Sequence, residues 1–383
     1  MLPLASCVVR RDRDITQNLE FSMKRHRYLE IGCLTLSVLA AGIFGPASAT
    51  LAPTRQAHAQ ETQGKQSPPR KTRPKTGEED QERPQGKTAI SVSVDLVSLN
   101  VLVTDQKGNV ITGLKPEHFA VYEDNVKQEI NHFAPVEANI TVVMLVEYSK
   151  QVFYLYSGYE VWNAIYTFAQ SLRPGDWVAV IGYDLRPTIL SDFTQDRAKL
   201  YDALRRFNYP AFSESNLSDA LIDTLDRVEE LEGKVAVLLI STGLDTFSKH
   251  TYDEALKKCQ ASSASVYAIS LGQNFRIRAD AAGYISPEGN LELLMSDNRL
   301  RSFADYTGGA AFFPRFVTEF PSIFQDISNQ LRNQYSLGYV SSNPKKDNKL
   351  RKIRVDVTAD INNDGKPDKL KIHTRKGYIA KEL

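Results

Sequence analysis

Short continuous apolar runs recur between residues 140 and 272, each separated from the next by turn or helix-period sequence, and nothing else in the chain constrains the fold as much. The runs are ITVVMLVE (140–147), WVAVIGY (177–183), KVAVLLIS (234–241) and SVYAISLG (265–272). They scarcely alternate, which is the pattern of strands buried on both faces. Strands are likewise expected at 188–193 and 310–316. Between them, Val161, Ile165, Phe168 and Leu172 recur at helical spacing, as do Leu217, Leu221, Thr224, Leu225 and Val228. Asp196 and Thr318 are placed to cap helix starts, and Gly308-Gly309 to close a helix before the last strand. Strands joined in this way by helices predict an α/β fold, with a mostly parallel sheet covered by helices on both faces.

Both flanks of that core read as β. Val92, Val94, Leu96, Leu99, Val101 and Val103 alternate, and residues 105–109 (DQKGN) supply a turn. FAVYEDNVKQEI (119–130) is expected to form a hairpin turning at Glu123-Asp124-Asn125, and strands are expected at 335–342, 351–360 and 368–380. A β unit of roughly 45 residues is marginal alone, so the two flanks are expected to make one composite β domain.

At 383 residues, 42% hydrophobic and 24% charged, the chain has the composition of a soluble globular protein. Its formal net charge of +1 gives no reason to expect nucleic acid as a partner. Residues 1–49 read as a secretory signal starting at Met23. A basic stretch precedes the apolar run Ile31–Phe44, which is too short to span comfortably, and Ala47-Ser48-Ala49 follows as a cleavage pattern. The alternative is an uncleaved anchor. Residues 50–88, rich in Pro, Gln, Lys and Glu, read as a disordered tether. The remaining expected boundaries are 89–136 for the first β flank, 137–333 for the α/β domain and 334–383 for the second flank. Export would leave Cys259 as the single cysteine, most simply a buried small apolar residue, with no intrachain disulfide.

Enzymatic signatures are poor. No Gly-rich turn follows the first core strand, no P-loop or G-x-S-x-G elbow is present, and the six histidines are scattered. No small-molecule cofactor and no catalysis are expected. The competing reading is a serine hydrolase built on Ser149.

The order strand, acid-x-Ser, helix, strand pair, Ser-x-x-x-Asp-Ala-Leu (215–221) and LLISTGLDT (238–246) resembles a von Willebrand factor type A (vWA) domain. The flanks VDLVSLNVLVTDQKGNVITGLKPEHFAVYEDN and QLRNQYSLGYVSSNPKKDNKLRKIRV resemble the secreted bacterial vWFA-related family. The resemblance covers roughly residues 90–381. It implies a Rossmann-like α/β domain bearing a metal-ion-dependent adhesion site, built from a D-x-S-x-S loop, a later Thr and an Asp after the fourth strand. This chain departs from that pattern. Glu147 replaces the first Asp, Ser149 matches the first Ser, Gln151 replaces the second, Ser215 stands for the Thr, and Thr242 replaces the last Asp. About one negative charge remains where the pattern supplies two, and charge carries much of the affinity for magnesium or manganese. Neither ion is expected to bind, although Asp245 offers compensation through water. Glu147, Ser149 and Thr242 are expected instead to hydrogen-bond one another and the loop backbone.

A second motif, DINNDGKPD (360–368), has the spacing of extracellular calcium loops. Asp360, Asn362, Asp364, Lys366 and Asp368 are its candidate positions, and Gly365 allows the turn. Lys371 at the twelfth position excludes an EF-hand, and a plain polar hairpin turn is the competing reading. Tyr148, Phe153, Tyr154, Tyr156 and Tyr159 cluster after the first core strand, either as an interaction surface or as core.

The sequence therefore leads us to expect an extracytoplasmic, non-catalytic adhesion or protein-binding module. Its binding rim would comprise Glu147, Tyr148, Ser149, Gln151, Ser215, Thr242 and Asp245, and its partner would be a protein or cell-envelope material. A calcium-stabilised structural envelope component is the runner-up.

Overall fold

The structure, a computed structural model, describes Pro68 and residues 96–380 except 135–138, 151, 154–158, 206–209, 211, 282, 284 and 363. The expected signal segment and most of the tether lie outside the described residues, with Val92, Val94, Gln151, Tyr154, Tyr156 and the side chains of Tyr159 and Val161. No helix among the described residues is long and apolar enough to cross a membrane.

The amino flank forms β1 (Leu96–Thr104), β2 (Phe119–Glu123), β3 (Val126–Gln128) and β4 (Ile130–Ala134). The centre then runs β5 (Ile140–Glu147), α1 (Tyr159–Ser171), β6 (Trp177–Tyr183), β7 (Pro187–Thr194), α2 (Arg197–Arg205) and α3 (Leu217–Val228). It continues through β8 (Lys234–Ser241), α4 (Tyr252–Ala261), β9 (Ser265–Ser270), α5 (Gly272–Ala281), α6 (Pro287–Thr307), β10 (Ala311–Phe312) and α7 (Phe320–Arg332). The carboxyl flank adds β11 (Tyr335–Val340), β12 (Leu350–Val357), β13 (Lys371–His373) and β14 (Gly377–Ile379).

The central sheet has the order β10-β9-β8-β5-β6-β7. Every neighbouring pair is parallel except β6 with β7, so the antiparallel strand lies at one edge. β5 and β8 are buried at every position, which is why their sequences show no alternation. One face packs Ile165, Phe168, Leu200, Phe324 and Ile327 of α1, α2 and α7. The other packs Leu217 and Leu221 of α3, Cys259 of α4, and Leu300 and Phe303 of α6. Cys259 is 1% exposed, and burial pushes its thiol pKa up, so it behaves as a small core residue.

The flanks interleave as two antiparallel sheets, β13-β1-β11-β4 and β14-β12-β2-β3. They share a core of Leu99, Val101, Val121, Tyr335, Leu337 and Val355, so strands from both ends of the chain build one sandwich. The 119–130 hairpin turns on two residues, Asp124 and Asn125, both at positive φ, while Glu123 ends the strand.

Three expectations need correction. The strand placed at 310–316 is only Ala311–Phe312, because Pro314 has no N–H with which to extend a ladder. The strand placed at 368–380 is two, β13 joining β1 and β14 joining β12, so the chain crosses between sheets at Thr374–Lys376. Thr318 lies in a 3₁₀ turn, and the residue preceding α7 is Glu319, whose carboxylate accepts the amides of Arg315 and Phe316. Asp196 does cap α2, accepting the Ala198 amide at 2.9 Å.

Candidate functional site

In open α/β sheets, ligands bind beyond the carboxyl ends of the strands where the strand order reverses. Here successive strands run outward from β5 through β6 to β7 on one side and from β8 through β9 to β10 on the other, so the reversal falls between β5 and β8. Glu147 pairs with Tyr183 in register, and Val146 with Ile240. Glu147, Tyr183 and Ser241 therefore end their strands side by side.

The Glu147 side chain turns inward. It is 1% exposed, and both carboxylate oxygens are taken by protein donors. Oε1 accepts the Ser149 hydroxyl at 3.1 Å. Oε2 accepts the Ser241 hydroxyl at 2.9 Å, the Thr242 amide at 2.7 Å and the Thr242 hydroxyl at 2.8 Å. Desolvation raises the Glu147 pKa above its ordinary value, against these four hydrogen bonds, which lower it. The Tyr183 hydroxyl donates to Ser241 Oγ at 2.8 Å, and its own pKa is raised well above normal, by burial first and then by the charges of Glu147 and Asp245. Ser149 is itself fully buried, and its Oγ accepts the Val152 amide at 3.3 Å.

Two further loops close over this cluster. Ser215 and Thr246 strap together, with the Ser215 amide on Thr246 Oγ1 at 2.9 Å and the Thr246 amide on Ser215 O at 2.8 Å. Ser215 Oγ is buried beside the Tyr183 hydroxyl without hydrogen-bond geometry to it. Asp245 turns to the start of α3, where Oδ2 accepts the Ser218 amide at 3.0 Å and its hydroxyl at 2.5 Å. A carboxylate there meets the positive end of the helix dipole. Asp219 binds the amides of Lys249 and His250 in the same way, pinning the far end of the loop.

The structure thus brings Glu147, Ser149 and Thr242 into direct contact, sets Ser215 against Tyr183, and points Asp245 at α3. Tyr148 and Phe153 are half-buried, with the Tyr148 amide on Tyr183 O at 2.7 Å. Sequence reasoning missed Ser241, Tyr183 and Ser218. Ser241 and Tyr183 close their strand runs, a position that signals the ligand end of the sheet but does not reveal which way the side chain turns. It also missed two exposed aromatics on the rim loops, Phe212 (47% exposed) and Phe247 (71% exposed), each followed directly by four polar residues.

At the second motif, Asp360 accepts the amides of Asp364 and Gly365, Asp364 that of Lys366, and Asp368 that of Ile361. Among the described residues, no three His, Cys, Asp or Glu side chains are grouped so as to hold a metal ion.

A reversal point between β5 and β8, a single antiparallel edge strand and an acid-x-Ser loop at the end of the central strand define a vWA-like α/β domain, here joined to a β-sandwich. No family model matches the chain, and no curated protein matches it. Among solved structures, proximal thread matrix protein 1 from the mussel byssus is 11% identical, with a TM-score of 0.37, over 50% of this chain and 48% of its own. This chain thus spans about half the length of that protein. A von Willebrand factor type A protein from Catenulispora acidiphila is 11% identical, with a TM-score of 0.40, over 74% of this chain and 75% of its own. The vWF domain of the type V pili tip protein Mfa5 from Porphyromonas gingivalis is 13% identical, with a TM-score of 0.37, over 52% of this chain and 97% of its own.

Proposed function

We propose that this protein is an exported, non-catalytic interaction module. It recognises a protein or cell-envelope partner at the carboxyl-end rim of its parallel sheet by contact and shape, without a divalent ion. The observation that carries this reading is the internal satisfaction of Glu147. Magnesium wants six oxygens at about 2.0–2.1 Å, with anionic ones contributing much of the affinity. Of Glu147, Ser149, Ser215 and Thr242, only Glu147 has a carboxylate, and one of its oxygens already faces three donors. Phe212 and Phe247, exposed on loops strapped to this cluster, supply the apolar contact that recognition of a protein surface uses. A non-catalytic role is supported by Ser149, whose hydroxyl is wholly buried against Glu147 and the Val152 amide.

Calorimetric titration of the full chain with Mg²⁺ and Mn²⁺ tests the ion. We expect no saturable uptake, and uptake by the native chain that Glu147→Ala abolishes would overturn the reading. In parallel, Phe212→Ala/Phe247→Ala is expected to cut retention on an immobilised envelope fraction at least tenfold with Tm unchanged, and undiminished retention would displace the site from this rim. An active-site serine probe should leave Ser149 unlabelled.

A second reading, a calcium-stabilised structural component, rests on the D-x-N-x-D-G-x-x-D spacing of residues 360–368. It predicts that millimolar calcium raises Tm by ~2 °C, as expected for a site of roughly 10⁻⁴ M affinity. Asp364→Ala should remove that increment, and an equal melt in calcium and in chelator would leave the loop a turn.

A further inference from the structure

We propose that the outer face of α6 is a self-association surface, on which a second copy of this chain packs its own α6 antiparallel across a two-fold axis passing beside Met295. α6 is 21 residues long and carries large apolar residues on two sides. Leu293, Leu300, Phe303 and Ala304 are buried, with Leu300 and Phe303 in the core against the sheet. Leu291, Leu294 and Met295 are instead 58%, 44% and 53% exposed. At i, i+3 and i+4 they form one stripe turned away from the sheet. Exposed apolar surface that is contiguous in this way marks an interaction site.

The occupant is read from charge. Glu292 lies three residues before Met295, and Arg299 four residues after it. Seven residues apart, the two fall on the same flank of the stripe, ~10.5 Å apart along the axis and too far to pair within one helix. Arg299 donates to Gly243 O at 3.2 Å, and among the described residues neither Glu292 nor Arg299 joins an ion pair. When two antiparallel helices are related by a two-fold axis, each flank meets the same flank of the other copy. An axis beside Met295 therefore sets Glu292 against the partner's Arg299, and does so twice. Met295 then meets the same residue of the second copy, and Leu291 and Leu294 cover the opposite flank. A foreign partner requires no such balance of acid and base about one point, whereas a copy of the same helix does. The two-fold axis also reverses the direction of the sheet. On the rim reading above, which this association does not require, the two rims face opposite ways, an arrangement that bridges two surfaces.

One helix of this length, ~31 Å, supplies a small interface, so a dissociation constant on the order of 10 μM is expected. Sedimentation equilibrium of the full chain from roughly 1 to 100 μM tests this, the range being set by that constant. We expect a monomer–dimer equilibrium in the native chain. Glu292→Arg and Arg299→Glu should each weaken it ~tenfold, and Glu292→Arg/Arg299→Glu should recover it to within about threefold of native, since the exchange restores both pairs. Met295→Glu should leave a monomer, and its exposed position predicts an unchanged Tm, which separates loss of association from loss of fold. A native chain that stays monomeric throughout would overturn the proposal, as would a dimer indifferent to Met295→Glu. A double variant as weak as either single one would overturn the antiparallel pairing. Binding of a monomeric chain to phosphatidylglycerol vesicles, lost in Met295→Glu, would assign the stripe to a lipid surface instead.

Discussion

Glu147 shows how much of a binding site rests on the direction one side chain takes. Its carboxylate faces only donors, so Glu147→Gln must turn an NH₂ group towards hydroxyls and an amide. The expected cost is about 1–3 kcal/mol, read from urea unfolding. Because burial raises its pKa, the folded state takes up this proton before the unfolded state does. Its contribution to stability is therefore full below the ordinary value of 4.5 and is lost as pH rises through the higher folded value. The stability difference between native chain and Glu147→Gln should fall across that window and then level off, and a flat difference would show that Glu147 titrates normally. Thr242→Asp, which places a second carboxylate beside the first, should lower Tm without metal and regain it in 10 mM Mg²⁺. A magnesium-insensitive melt would mean that geometry as well as charge had been lost. Glu147, Ser149 and Thr242 are legible in the sequence as a strand-end acid and hydroxyls. Ser241 and Tyr183 are not, because their partnership depends on how three strands align.

Between elements, close approach decides what the loops can be. Gly243, directly after Thr242, has φ +77°, and a Cβ there would lie 2.6 Å from Ser296 O on α6. Gly243→Ala thus combines left-handed strain with a backbone clash, and a loss of more than ~2 kcal/mol is expected in thermal unfolding. An unchanged Tm would show that the loop and α6 separate freely. The same kind of constraint explains where the expected elements fail. Strong, doubly buried strands such as β5 and β8 fall where their apolar runs lie, because burial on both faces leaves one pattern. Weak ends do not. The 368–380 stretch alternates well enough for a single strand, but its halves pair in different sheets, a division set by the partners β1 and β12 and not by the stretch itself.

For the whole molecule, the interleaving of the flanks makes the sandwich dependent on both ends of the chain. β11 sits between β1 and β4, and β12 between β14 and β2, so deletion of 334–383 would strip a central strand from each sheet. The truncated chain should aggregate through exposed edges, as read by light scattering. A monomeric product with native Tm would show that the amino flank is stable alone.

The sequence by itself determined the α/β core, its helix-covered parallel sheet and the β character of both flanks, because burial periodicity is a local property written into each segment. Only the tertiary structure decided that the acid at the end of β5 is turned inward and saturated, and that two sheets share the final stretch of the chain. Each of these depends on register and on which neighbour a segment meets, and no single segment encodes its neighbour.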